Sequence, residues 1–447
     1  MAVGRRIKAL ASGIVLCGLV AGCSTAGAGA EGGTPDPSAS SSASSSAPAE
    51  PATITVGVYG PKGSLDSYDA LADRFSAEHP NVTVKVKRYP DAEAVLQSVE
   101  SGQAPDVFVM DHDHLPGLVQ DKRLRPVDGL LEARNVNFGD GYQRGGLTAF
   151  AADAHLQCMP NDVSPVVVYY NKDLVDLNRL GTAGEAAPTA LDGWSWEMFT
   201  KAARQASRGP ASGVYIEPSL ASLAPFIWSA GGDIVDDPQA PTTLTLADSD
   251  SRAALEQVLA VVRDPQLTPD SRQLENQDAV ARFKHGKLGM ILGTRALTPQ
   301  FRAAQGLRFD VMPLPSLGRL RTIADMTGYC ISADTQALEA AGDFLAFAVS
   351  DEGAAITARS GYVVPSNVKV ANSPVFTQEA QQPASSFIFN EGVRRAQDLP
   401  FVPQWPQLSE AVEPALNRMF YAPVIDLDSL LDEIDTTSSR VLAPEPQ

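Results

Sequence analysis

The chain is poor in cysteine, in histidine and in positive charge, and each shortage removes a class of function. Only four cysteines occur in 447 residues, with no Cys-x-x-Cys pair, so neither a thioredoxin-type motif nor a zinc knuckle is supported. Only five histidines occur, none in a His-Glu-x-x-His pattern, which leaves the common zinc-protease arrangement without its ligands. Lys and Arg number 35 against 53 Asp and Glu, for a formal charge of −18. A nucleic-acid grip needs clustered cations, and this excess of acid argues against one. Also missing are a Gly-x-Ser-x-Gly elbow, a Ser-x-x-Lys with partner motifs, a dinucleotide fingerprint and a phosphate loop, so the commoner hydrolase and nucleotide chemistries lack their signatures.

What remains is mostly globular. Apolar residues make up 44% and charged residues 20%, and the length suffices for two lobes with separate cores. The N-terminus differs from the rest. Arg5, Arg6 and Lys8 precede an apolar run over 9–21, followed by Gly22 and Cys23. A basic head, a short apolar core and small residues at the cut describe a secretory signal, and the core is short for a membrane span. The ending Leu19-Val20-Ala21-Gly22-Cys23 resembles a bacterial lipobox, which implies that residues 1–23 are a lipoprotein signal peptide and that Cys23 is diacylated. Residues 24–52 are rich in Ser, Ala, Pro and Gly with few bulky apolar side chains. They cannot build a core and are expected to form a disordered tether spanning on the order of 30 Å.

The body alternates strand and helix patterns. Thr53 to Val58 alternates like a strand, and Tyr59-Gly60-Pro61 reads as a loop. Leu65, Tyr68, Leu71, Ala72 and Phe75 carry helical spacing up to Pro80. Strands at 82–86 and 106–110 flank a helix over 92–101, which gives an α/β sheet. Ligands in such sheets sit beyond the carboxyl ends of strands, which points to Tyr59 and Asp111. Asp111-His112-Asp113-His114 offers alternating metal-ligand types, but no matching His or Cys pair accompanies it, so it reads as a solvated loop with Asp111 facing a cleft. No metal and no cofactor is expected.

Residues 156–199 organise the chain. A short apolar piece stops at Pro160, Asn161-Asp162 is turn-prone, and Val166-Val167-Val168-Tyr169-Tyr170 fits a strand buried on both faces. Asn171-Lys172-Asp173 is expected to turn into a helix, and Ser195 to cap another before Glu197. The helix carrying Phe226 and Trp228 should end at Gly231-Gly232. Further helices are expected over 251–263 and 278–287, an apolar strand over 288–293, and a largely helical tail from 401 to 442 with Trp405 near its start.

Tyr170-Asn171-Lys172-Asp173, the Trp194-Ser195-Trp196-Glu197 helix start, Trp228-Ser229-Ala230-Gly231-Gly232-Asp233, Gly342-Asp343-Phe344 and Gly361-Tyr362-Val363-Val364-Pro365 occur in this order. Together they resemble the bacterial extracellular solute-binding proteins, the lipoprotein receptors of sugar-type ABC importers, over about residues 54–430. The resemblance implies a two-lobe α/β periplasmic-binding-protein fold (type II) with three interlobe crossings. Lobe 1 would comprise 53–160 and 328–365, and lobe 2 would comprise 161–327 and 366–447. It implies no catalysis, a sugar or related polar solute in the interlobe cleft, delivery to ABC permease subunits, membrane attachment through lipid, and a monomer. Tyr59, Asp111, Asp162, Trp228, Arg295, Tyr329 and Tyr362 would line the cleft, with Trp405 a weaker candidate. Trp228 would be a stacking platform. Arg295 stands where the family often has an aromatic, and its fork would suit a carboxylate or phosphate. Cys158 and Cys330 fall at two crossings whose pairing in the family would put them in disulfide range, as export would permit. The alternative reading is an exported hydrolase acting on glycosides, since acidic chains always contain carboxylate pairs.

Overall fold

The computed structural model describes residues 51–181 and 186–443. The signal segment, Cys23 and most of the tether lie outside the described residues. The body, 50–447, is one compact unit.

Two sheets organise it. The first contains β1 (Ala52–Val58), β2 (Val82–Arg88), β3 (Val107–Asp111) and β4 (Leu124–Arg125). After a small hairpin of β5 (Ala151–Ala152) and β6 (His155–Leu156), β7 (Cys158–Pro165) runs into β8 (Val167–Asn171). The second sheet is built from β8, β9 (Ser212–Tyr215), β10 (Leu288–Gly293) and β11 (Phe309–Met312), and β12 (Ala324–Ser332) returns the chain to the first. The strand orders are β2-β1-β3-β12-β4, with β7 also on β12, and β11-β8-β10-β9. β1 pairs parallel with β2 and β3, and β12 pairs antiparallel with β3, β4 and β7.

Local chemistry explains most boundaries. β8 is buried along its whole length, as its unbroken β-branched and aromatic run requires of a central strand. Ser195 caps the helix Trp196–Ala206 by accepting from the Met198 N–H, and Asp278 does the same for Ala279–Lys284. Leu220–Ala230 ends at Gly231, whose φ of 102° is a left-handed stop that a side chain would strain. The helix expected after Asn171-Lys172-Asp173 does not form. Asn171 Oδ1 accepts from the Asp173 N–H, and Asp176 caps only a short 3-10 turn, Leu177–Arg179. These Asn and Asp side chains compete with the helical ladder for the backbone.

β7 and β12 run side by side in the first sheet, β7 continuing into β8 of the second, and a third segment joins them where Asp162 bridges Pro365. The expected disulfide is present: Cys158 and Cys330 are bonded across this ladder, with Cα atoms 4.4 Å apart, the close spacing of a directly opposed antiparallel pair.

Candidate functional site

The carboxyl ends of β1 and β3 lie together because the two strands are parallel neighbours. Tyr59 follows β1 and Asp111 closes β3, and the Tyr59 hydroxyl donates to Asp111 Oδ1 at 2.6 Å. Burial raises the Asp111 pKa, and the tyrosine hydrogen bond only partly opposes this.

Asp162 stands where the three connecting segments meet, opposite Thr327 on β12 and bridged to Pro365. Its Oδ1 accepts from Ser164 Oγ and from the Val364 N–H, each at 2.6 Å. Burial pushes its pKa up to about 8 against these hydrogen bonds, with Asp325 and Asp111 adding like charge. Asp325, at the start of β12, touches water but is walled by protein. Desolvation, then Asp111, Asp113 and Glu217, lift it to about 6. Carboxylates of both sheets and of the crossing strand thus feel one another across a shared space.

That space contains two cavities with a common wall. One, of about 420 Å³, is bounded by Val166, Ile291, Leu292, Leu314 and Ile323, with Glu217, Asp278 and Asp325 as its charged groups. The other, of about 570 Å³, reaches from Asp113 on the first sheet's side to Trp405, Glu410 and Glu413 on the tail helix Trp405–Tyr421. Tyr215, Glu217, Ser219 and Ala221 line both. Apolar walls with a few polar groups suit a small polar ligand. Among the described residues no group of three His, Cys, Asp or Glu side chains is placed to hold a metal ion.

The structure brings together only part of the expected set. Tyr59, Asp111 and Asp162 cluster at the strand ends and crossings. The half-buried Tyr362 has its ring against Gly63, at the start of the helix Lys62–Glu78. Trp405 is 3% exposed yet contributes to the wall of the larger cavity. None of the other seven expected residues lines either cavity, and three of them lie wholly in the interior. Trp228 sits in a helix with eight buried residues, its Nε1 donating to Asp233 Oδ1 at 3.2 Å, so its faces are taken by the core. Tyr329 is fully buried, edge-on to Tyr68 with ring centroids 6.3 Å apart. Arg295 is also fully buried. Its guanidinium donates to Ser386 Oγ and the Phe376 carbonyl, and lies over the rings of Phe376 and Phe389. Both of its Nη groups are committed to the fold, and it lines neither cavity.

Among the wall residues that sequence reading missed are Tyr215, Glu217, Asp278, Asp325, Glu410 and Glu413. Tyr215 ends β9 and Glu217 lies two residues beyond it, so the strand-end rule that marks Tyr59 and Asp111 would mark them too.

A family model described as bacterial extracellular solute-binding protein matches residues 70–384. Among curated relatives, a maltotriose-binding protein of Pyrococcus abyssi is 25% identical over 112 residues, covering 25% of this chain and 24% of that protein. The sn-glycerol-3-phosphate-binding periplasmic protein UgpB of Yersinia enterocolitica is 29% identical over 112 residues, covering 24% and 26%. The match thus spans about a quarter of the length of these relatives. Among solved structures, the ABC substrate-binding protein Lmo0181 of Listeria monocytogenes in complex with cycloalternan superposes with a TM-score of 0.76 at 19% identity, over 88% of this chain and 98% of that one. The maltotriose-binding protein of Thermus thermophilus bound with maltotriose gives 0.70 at 18%, over 87% and 100%. These likenesses establish the two-lobe fold, and the family match spans more than half of the chain: the protein belongs to the bacterial extracellular solute-binding proteins, a family of binding proteins with an extracytoplasmic location.

Proposed function

We propose that the protein is the lipid-anchored substrate-binding component of an ABC importer, taking a sugar or a related polar solute between its lobes and passing it to a membrane permease. The observation that carries this reading is the larger cavity, walled by Asp113 from the first sheet's side and by Tyr215, Glu217 and Trp405 from the second's, with the smaller cavity sharing Tyr215 and Glu217. A solute held there touches both lobes only when they close, so binding favours closure. Lobe 1 is assigned to 53–160 and 328–365, and lobe 2 to 161–327 and 366–447. Tyr59, Asp111 and Asp162 form the lobe 1 and hinge side of the site. Attachment rests on Cys23 and its lipobox-like context. Sugar binding by the neighbours cited above supports carbohydrate as the solute class.

The test is a thermal-shift screen of the mature full chain against neutral sugars, polyols, amino sugars and sugar phosphates. A ligand at about 100 times its Kd adds roughly 2.7 kcal/mol, enough to move the melting point visibly. Stabilisation by a sugar-class compound is the expected result, and a flat response across the panel would remove carbohydrate as the solute class.

A further inference from the structure

The site stands on the cavities and the family fold, and its charge adds a further constraint. The smaller cavity carries Glu217, Asp278 and Asp325, the larger Asp113, Glu217, Glu410 and Glu413, and among the described residues no Lys or Arg lines either. All six acids are solvent-exposed. Asp278 is engaged as a helix cap, and Asp113 has His112 at 3.6 Å. Glu217, Asp325, Glu410 and Glu413 form no ion pair among the described residues. The cation nearest in expectation, Arg295, is consumed in the interior by Ser386, Phe376 and Phe389.

We propose that the solute carries a protonated amine beside its hydroxyls; on the sugar-binding reading above, upon which this step rests, it is an amino sugar or an oligosaccharide containing one. A cleft of one sign between low-dielectric walls focuses its field and concentrates ligands of the opposite sign. Closing over a neutral sugar would strip water from carboxylates that then lack a counter-charge, a cost that a bound ammonium offsets. An anionic solute would meet repulsion from both walls. The half-buried Tyr215 ring, in the wall common to both cavities, suits a sugar face and also attracts a cation to its π-surface.

The experiment is calorimetric titration of the mature full chain with four probes: a glucosamine oligomer, the matching N-acetylglucosamine oligomer, a malto-oligosaccharide and spermidine, each at low and high salt. The glucosamine oligomer is expected to bind at least about tenfold more tightly than its acetylated twin, with the margin shrinking in salt as the Debye length contracts. Glu217→Gln and Asp325→Asn, both at exposed positions, are expected to shrink that margin. Melting curves confirm that the variants fold, and the comparison of the two oligomers needs no variant. Neutral oligomers binding as tightly as the amine would overturn the charge inference and leave sugar binding standing. Spermidine alone binding would keep the charge inference and overturn the sugar reading. Silence from all four would overturn both.

Discussion

Replacing Cys158 and Cys330 together by Ala should cost this protein several kcal/mol of stability while leaving its ligand affinity unchanged. The two residues are 172 apart in sequence and bonded, so the link closes a loop that contains the whole second sheet. Chain-entropy arithmetic for a loop of that size gives about 5 kcal/mol, and compactness in a real unfolded chain lowers this to about 3–5 kcal/mol. Both cysteines are fully buried on paired strands, and neither lines a cavity, which is why affinity should hold. Urea unfolding of wild type and the double variant measures the difference. The midpoint should fall and the slope should rise, because an unlinked unfolded chain exposes more surface. Coincident curves would refute the reasoning. So would two free thiols beyond Cys23 on alkylation of denatured, non-reduced wild type.

Three further outcomes follow from the site and its surroundings. Tyr59→Phe deletes the donor to Asp111, a hydrogen bond to a charged acceptor worth about 1.5–3 kcal/mol, so the Asp111 carboxyl should titrate higher in a ¹³C NMR experiment; an unmoved titration defeats the contact. Trp228→Ala and Arg295→Ala should each lower the stability, and with it the melting point, by about 3–5 kcal/mol of unfolding free energy for the emptied tryptophan site and comparably for the interior carbonyl and hydroxyl that Arg295 satisfies. Ligand affinity should survive in both, and loss of affinity at unchanged stability would return them to the binding site. Asp162, held at about 8 by burial, keeps a proton in the folded chain that the unfolded chain releases near the ordinary value of about 3.9. Its contribution is therefore present below that ordinary value and is lost as pH rises through about 8. Asp162→Asn cannot ionise, so its melting point relative to wild type should rise between about pH 4 and pH 8; a constant difference would show that Asp162 ionises normally.

The sequence disclosed the fold and hid most of the cavity wall, and one physical cause accounts for both. β1, β3 and β8 declare themselves through β-branched and aromatic runs that only a buried strand accommodates, and once those strands are seen, their carboxyl ends lead to Tyr59 and Asp111. β9 obeys the same rule but is four residues long, with Ser and Gly among them. It has no run to betray it, and Tyr215 and Glu217 at its end carry no other mark. Asp325 was invisible for a related reason. It belongs to β12, and its place in the cleft depends on pairing with β7. Trp228, Tyr329 and Arg295 failed in the opposite direction, because the resemblance placed them along the chain without saying which way their side chains face. An aromatic or a guanidinium serves a core as readily as a ligand, and the deciding property is which way its element faces. For Trp228 that signal was available. Phe226-Ile227-Trp228 is an unbroken apolar run, which marks that part of Leu220–Ala230 as core, and only its first turns, Leu220 to Pro225, reach the cavities. Arg295 and Tyr329 had no comparable cue, since the rings over Arg295 and the Tyr68 edge against Tyr329 come from segments far away in the chain. A site built from strand ends is therefore legible only as far as its strands are, and here the least conspicuous strand carries the residues common to both cavities.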